Sequence, residues 1–240
     1  MAAHTIYAGC SGWAYSTWKP GFYPAKMPAK QFLPYYASLL NSVEVNYTFR
    51  QLPTAAQAEA WLAATGADFR FSFKAPQRIS HLLRLRNCSE PFAQFVESLT
   101  PFVAAERMGL MLVQLPPNFK ADAERLEAFL RDAAPHRLRL AFEFRHESWF
   151  AASTYAPLER YGAALCIAES DELVAPEVHT APFACYRLRC SDYGEAALHA
   201  IARRLHARAA NGEVFAYFRH EDAPDAPLRA RRVLTRLNEL

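Results

Sequence analysis

The sequence predicts an α/β chain folded as a TIM-barrel-like (β/α)8 barrel, and three observations carry that prediction. Eight short runs rich in β-branched and aromatic residues alternate with segments of helical period. Strands that alternate with helices form parallel βαβ units with right-handed crossovers. The chain has 240 residues, near the length of about 250 that such barrels usually have. An open doubly wound sheet is the alternative, but no G-x-G-x-x-G follows the first strand to support it.

The predicted strands lie near TIYAGCS, SVEVNYTF, FRFSFKAP, GLMLVQLP, LRLAFEF, AALCIAES, FACYRLRC and VFAYFRH. Between the first two, Phe32, Tyr35, Tyr36, Leu39 and Leu40 recur at helical spacing. Thr54 and Gln57 have capping-box spacing ahead of AEAWLAATG, where Gly66 is a stop. In SEPFAQFVESL, Ser89 is a candidate cap and Pro91 sits in the first turn. Leu126, Phe129 and Leu130 share one helical face, as do Leu198, Ile201 and Leu205 before a stop at Gly212, and PLRARRVLTRLNEL closes the chain. Residues 171–182, DELVAPEVHTAP, offer at most a short helix, so the helix between strands six and seven is expected to be missing or short. No repeat, low-complexity tract or linker divides the chain, and residues 1–240 read as a single barrel domain.

Composition narrows the function classes. The net charge of +3 is not that of a polycation built for nucleic acid. The five cysteines are scattered without C-x-x-C, which predicts reduced thiols and a cytoplasmic protein with neither a disulfide framework nor a thiolate zinc site. The N-terminal residues lack a basic segment followed by an apolar one, so no signal peptide is expected. No apolar run is long enough to span a membrane. G-x-S-x-G, P-loop and H-E-x-x-H motifs are absent, the histidines do not fall at metal-ligand spacing, and neither metal nor cofactor is expected.

The informative feature is charge on alternate strand positions. Strand side chains alternate between faces. In AFEFRH, Phe142 and Phe144 oppose Glu143 and Arg145. In VEVNYTF, Val43, Val45, Tyr47 and Phe49 oppose Glu44, Asn46 and Thr48. In FRFSFK, Phe69, Phe71 and Phe73 oppose Arg70, Ser72 and Lys74, and in CYRLRC, Tyr186 and Leu188 oppose Arg187 and Arg189. A barrel explains the pattern: the apolar face meets the helices and the polar face points inward. Most of these polar residues lie toward C-terminal strand ends, where barrel sites form, while Arg70 would sit low.

The inner set is Glu44, Asn46, Lys74, Gln114, Glu143, Arg145, Arg187, Arg189, Tyr217 and Arg219. Five cations there face two carboxylates, so Glu44 and Glu143 should pair with some of them and the remainder suit an anionic ligand. Other readings stay open. Glu143 and Arg145 can form a purely structural ion pair, and His146 and Glu147 read as loop or cap residues. His81 is either an acid/base group or polar surface. Trp13 and Trp18 form either a stacking wall or a barrel plug. Arg203, Arg204, Arg208, Arg229, Arg231, Arg232 and Arg236 read as a solvated face of outer helices, with a nucleic-acid patch as the minority reading. A glycosidase pair from Glu44 and Glu143 is disfavoured, because from strands two and five they are expected either to lie too far apart or to be neutralised by arginines.

GCSGWAYSTWKPGFYP, VEVNYTF, FRFSFKAPQRISH, LVQLPPNF and FEFRHESWF, in that order, resemble the successive motifs of the YecE-like family, a domain family of unknown function numbered 72. The resemblance covers nearly the whole chain. It implies a TIM-barrel-like fold and supplies no established reaction. It marks Gly12, Trp13, Glu44, Asn46, Lys74, His81, Gln114, Glu143, Arg145 and Arg187 as characteristic positions. The C-terminal third departs: RLRC at 187–190 replaces the family's RLHG, and YFRHEDAPDAP replaces an Asn-Asn-Asp run, so these strand ends gain arginine and lose amides.

These readings combine into an enzyme of unassigned reaction acting on a small anionic, phosphorylated or carboxylated, substrate at the barrel mouth. Glu44 or Glu143 is the expected general acid or base, with Lys74 and His81 as proton donors or electrophiles. Arg145 and Arg187 are expected to clamp the anion, and Trp13, Asn46, Gln114 and Tyr217 to contact substrate. The alternatives are a nucleic-acid-binding or processing barrel, using Arg78, Arg84 and Arg86, and a non-catalytic ligand-binding protein. No membrane partner is expected, and the sequence leaves the oligomeric state open.

Overall fold

Residues 6–219 and 223–240 are described by the computed structural model. Eight parallel strands close into a barrel in chain order, with the last paired to the first. They are β1 (Ile6–Ser11), β2 (Ser42–Val45), β3 (Arg70–Lys74), β4 (Met108–Gln114), β5 (Leu140–Glu143), β6 (Ala164–Glu169), β7 (Ala184–Leu188) and β8 (Val214–Phe218). The crossovers carry α1 (Phe32–Ala37), α2 (Ala55–Ala63), α3 (Ser89–Ser98), α4 (Thr100–Ala104), α5 (Ala123–Ala133), α6 (Ala152–Arg160) and α7 (Glu195–Ala209), and α8 (Asp225–Leu237) follows the last strand. Between β6 and β7 no helix forms; an isolated antiparallel bridge joins Glu169 to Val174, as the composition of that stretch predicts.

Alternation along the strands produces two apolar layers. Val43, Val45, Phe71, Phe73 and Phe142 face outward and pack with Phe95, Phe102, Phe129 and other helix residues. A separate cluster of Tyr7, Leu110, Leu112, Ala141, Cys166, Cys185, Phe215 and Tyr217 fills the barrel interior. β4 is buried along its whole length because it serves both layers. Arg70 does sit low, with its guanidinium 5.3 Å from the Tyr7 ring centre.

Three expectations of detail are corrected. β2 ends at Val45, and Tyr47–Phe49 is a 3-10 turn. The Thr48 hydroxyl bonds the carbonyls of Val45 (3.0 Å) and Lys74 (2.7 Å), so tertiary hydrogen bonds break the alternation there. β5 ends at Glu143, which takes Arg145 off the inner face. Cys88, not Ser89, is the residue before α3, and the Ser89 hydroxyl donates instead to Asp132. By contrast, the Thr54–Gln57 capping box forms as its spacing predicts. His146 caps the Glu147–Trp149 turn by accepting from the Ser148 amide.

Trp18 is fully buried outside the strand barrel, against Tyr15, Phe22 and Tyr23, and is therefore neither a ligand wall nor a barrel plug. The helix arginines, read mainly as a solvated face, are dispersed among separate partners. Arg232 and Arg236 pair with Glu195, Arg204 pairs with Glu169, and Arg208 is buried against the Ala181 carbonyl.

Beneath the mouth, the Tyr217 hydroxyl lies 2.7 Å from the Ser42 hydroxyl and donates to that of Ser72 at 2.6 Å, tying β8 to β2 and β3 across the interior. Tyr217→Phe removes the link while conserving the ring. Urea unfolding should show a loss of about 1–2 kcal/mol, the cost of leaving buried hydroxyls underbonded. Unchanged stability would mean that this layer does not help hold the barrel closed.

Candidate functional site

The polar residues at the C-terminal strand ends converge on one guanidinium. Arg187, from β7, is 4% exposed and reaches across the interior to two carboxylates that are 0% (Glu44) and 2% (Glu143) exposed. Its Nη2 donates to Glu44 Oε1 at 2.7 Å, and its Nη1 donates to Glu143 Oε2. Strand register explains the convergence, since Ser11 pairs with Glu44 across β1–β2 and Gln114 with Glu143 across β4–β5. The Ser11 hydroxyl donates to Glu44 at 2.7 Å, and Arg189 Nη1 donates to Glu143 Oε1 at 3.1 Å.

Burial raises the Glu143 carboxyl, but Arg187, Arg189 and the hydrogen bond from Gln114 overcome this and hold it at about 2. Burial likewise opposes the charge on Arg187, yet Glu143 and Glu44 drive its pKa above the ordinary arginine value. Arg189 is shifted down, by burial and then by Arg187. Glu44 Oε2 and Arg187 Nε remain buried without a hydrogen-bond partner among the described residues.

A relay runs outward from Glu143. Gln114 Nε2 donates to Glu143 Oε1 at 2.8 Å, and Gln114 Oε1 accepts from Lys74 Nζ at 2.8 Å. An ionised carboxylate only accepts, so the amide must turn its nitrogen to Glu143 and its oxygen to Lys74. The Lys74 ammonium lies 4.3 Å from the Phe49 ring centre. Burial, then the charge of Arg187, lowers it to about 8. His81, in a π-helical turn after β3, stands edge-on to the same Phe49 ring at 5.0 Å, with Nδ1 2.9 Å from the Ser80 hydroxyl. Burial and the charges of Lys74, Arg145 and Arg84 lower its pKa, which keeps the ring neutral near neutral pH.

A cavity of about 220 Å³ opens here, lined by Ser11, Asn46, Lys74, Gln114, Arg187, Arg189 and Arg219. Four of these side chains are cationic, and among the described residues no carboxylate lines it. Asn46 Oδ1 is buried beside it without a hydrogen-bond partner among the described residues. Arg189 and Arg219 also line an adjoining cleft of about 430 Å³ with Arg145, Asp171 and Glu172. A larger cavity, about 710 Å³, is at the opposite end near Ile6, Asn41 and Leu237, and its described lining has only Asp68 and His206 as ionisable side chains. Barrel sites form at the C-terminal face, which favours the smaller, charged cavity.

Among the sequence-predicted residues, Glu44, Asn46, Lys74, Gln114, Glu143 and Arg187 come together. Arg145 is exposed in the adjoining cleft, and of the inner cations it is Arg187 and Arg189 that pair with Glu143, not the Arg145 of the alternative reading. Tyr217 lies a layer below, with its hydroxyl engaged. Trp13 is half-buried at the rim, 5.1 Å edge-on to Trp61, and Trp61 also meets the partly exposed Tyr47. Two partners were missed. Ser11 was legible from the Tyr7, Gly9, Ser11 alternation, whereas Phe49 had no signal because the 3-10 turn redirects it. Within the atypical stretch after β8, residues 220–222 lie outside the described residues. Among the described residues no group of three His, Cys, Asp or Glu side chains is placed to hold a metal, and no helix is long and apolar enough to cross a membrane.

Comparison with known proteins adds the family. The YecE protein of Escherichia coli K12 is 33% identical over 147 residues, covering 61% of this chain and 50% of that protein. The YunF protein of Bacillus subtilis is 31% identical over 157 residues, 62% of this chain and 54% of that protein, so the chain matches about half the length of these curated relatives. A DUF72 family protein from Thermotoga maritima superposes with a TM-score of 0.81 at 24% identity, covering 98% of this chain and 100% of that one. A D-psicose 3-epimerase from Clostridium cellulolyticum, solved with D-tagatose, scores 0.62 at 8% identity over 97% of this chain and 98% of that one, a likeness of fold alone. The family described as "Protein of unknown function DUF72" matches residues 7–240, and the chain belongs to that family.

Proposed function

We propose that this protein is an enzyme acting on a small anionic substrate held in the mouth cavity. The observation that carries the reading is the described lining of the 220 Å³ cavity, with one lysine and three arginines and, among the described residues, no carboxylate. A cavity of this kind concentrates anions, and arginines match carboxylate or phosphate oxygens with paired donors. Arg187 is fixed before substrate arrives, because two carboxylates hold it, so binding does not require it to be ordered.

The roles differ from those the strand pattern suggests. Glu143, held at about 2, does not take up a proton near neutrality; with Glu44 it serves as counter-ion to Arg187. Lys74, lowered to about 8, supplies the acid/base group, with neutral His81 as its companion on the Phe49 ring. Arg189, Arg219 and Arg145 bind from the open side, Asn46 and Gln114 supply polar contacts, and Trp13 with Trp61 and Tyr47 forms the rim. Tyr217 supports the floor and does not contact substrate.

Inorganic phosphate tests the anion site by calorimetric titration. Arg189→Ala should weaken binding at least tenfold, about 1.4 kcal/mol, as expected for the loss of a charge-assisted contact. Equal affinity for variant and wild type would place phosphate elsewhere. Fluorescent single-stranded DNA separates the nucleic-acid reading, because binding along a strand weakens steeply with salt. Micromolar binding that persists at physiological salt would favour that reading over the small anion.

Glu143→Gln tests the counter-ion role. The folded protein holds Glu143 below its ordinary 4.5, so its contribution to stability is present above about pH 4.5 and is lost as pH falls toward about 2. At neutral pH the variant should lose about 3 kcal/mol or more, since Arg187 is left buried and underpaired. Its stability should also vary less with pH between 4.5 and 2 than that of the wild type. A variant as stable as wild type across this range would remove Glu143 from the framework and restore it as a functional group.

A further inference from the structure

The chain has five lysines and twenty-two arginines, and Lys74 alone among the lysines lines the mouth cavity. The other cations of the described lining are Arg187, Arg189 and Arg219; Arg187 is already held by Glu44 and Glu143, which leaves Arg189 and Arg219 to meet an anion. Arginine keeps its proton under ordinary conditions, whereas an amine can release one and become a nucleophile. Lys74 has no carboxylate within ion-pair distance among the described residues. Its hydrogen-bond acceptor is Gln114 Oε1, at 2.8 Å, and Glu143 fixes the orientation of that amide. A neutral amine that donates one hydrogen to Gln114 retains its lone pair. The side chain leaves the end of β3 and packs over Phe49, so its amine is held at the cavity wall.

The geometry points to Lys74 as a nucleophile that forms an imine with the carbonyl carbon of a small anionic aldehyde, ketone or 2-oxo acid. This deepens the anion-site reading and rests on it: the arginines hold the phosphate or carboxylate and leave the carbonyl facing the amine. Neutral Nζ attacks the carbonyl carbon, a C–N bond forms, and the C=O π electrons move to oxygen. Nitrogen gives up its two protons in turn: the first converts the alkoxide to the carbinolamine hydroxyl, and the second balances the proton that lets this hydroxyl depart as water while the C=N bond closes. The balance is one amine plus one carbonyl giving one imine plus one water, with no oxidant or reductant. The lowered Lys74 pKa of about 8 leaves roughly a tenth of the amine neutral at pH 7, enough for attack.

Reductive trapping on the wild-type protein tests the inference without a variant that could misfold. The folded protein is incubated separately with glyoxylate, dihydroxyacetone phosphate and uncharged formaldehyde in the presence of cyanoborohydride. Adducts are then assigned by intact mass and peptide mapping. Glyoxylate or dihydroxyacetone phosphate should label Lys74 at least tenfold faster than Lys19, Lys26, Lys30 or Lys120, with inorganic phosphate slowing the reaction. Equal labelling of all five lysines, or an unlabelled Lys74, would overturn the imine. Lys74 labelled as fast by formaldehyde as by the anions would overturn the anionic class. If phosphate binds by calorimetry while Lys74 stays unlabelled, the anion site stands and the imine alone fails. If neither is seen, both fail. A Lys74→Arg variant that stays folded, binds phosphate and loses the dominant adduct supports the assignment.

Discussion

One guanidinium organises the mouth of this barrel. Arg187 extends from β7 across the interior to carboxylates on β2 and β5, so three strands far apart in sequence are joined at one point. Removing three charges from water is costly, and only mutual pairing with further hydrogen bonds offsets the penalty. Ser11, Gln114 and Arg189 supply those bonds. The position of the lysine follows from this arrangement: Glu143 fixes the Gln114 amide, and Gln114 fixes Lys74. The preorganisation is electrostatic, and below it an apolar interior layer with a hydroxyl triad gives the charged ring a rigid floor.

The architecture was legible because its main signal is local. Period-two alternation in FRFSFK and CYRLRC separates an outer apolar face from an inner polar one, and a closed parallel barrel is the arrangement that uses both. The Thr54–Gln57 cap and the helix-poor stretch before β7 were legible for the same reason. What failed was decided at a distance. NYTF continues the alternation of β2 on paper, yet the Thr48 hydroxyl bonds to the Lys74 carbonyl, 26 residues away, and the chain turns. Trp18 could have belonged to a ligand wall or a plug, because nothing local shows that Phe22 and Tyr23 cover it.

The site was legible as a set of residues and poorly legible as a set of roles. Glu44, Lys74, Gln114, Glu143 and Arg187 stood on inner faces of five strands, and they do converge. That both glutamates pair with inner cations was legible, but which cations was not, because proximity in sequence made Arg145 one candidate partner of Glu143. The partners are Arg187 and Arg189, 44 and 46 residues away, brought in by closure of the barrel. That pairing moves Glu143 from a proposed proton carrier to a counter-ion. It leaves Lys74, whose shift depends on burial that no sequence pattern displays, as the group able to exchange a proton near neutrality.

The central claim is that the cation-lined cavity above Arg187 takes an anion. A crystal soaked in tungstate, whose scattering locates an oxyanion without ambiguity, tests it directly. The account predicts an anomalous peak within hydrogen-bond distance of Arg187 or Arg189 and close to Lys74. Tungstate bound only by arginines of the outer helices, with the mouth cavity empty of it, would contradict the account.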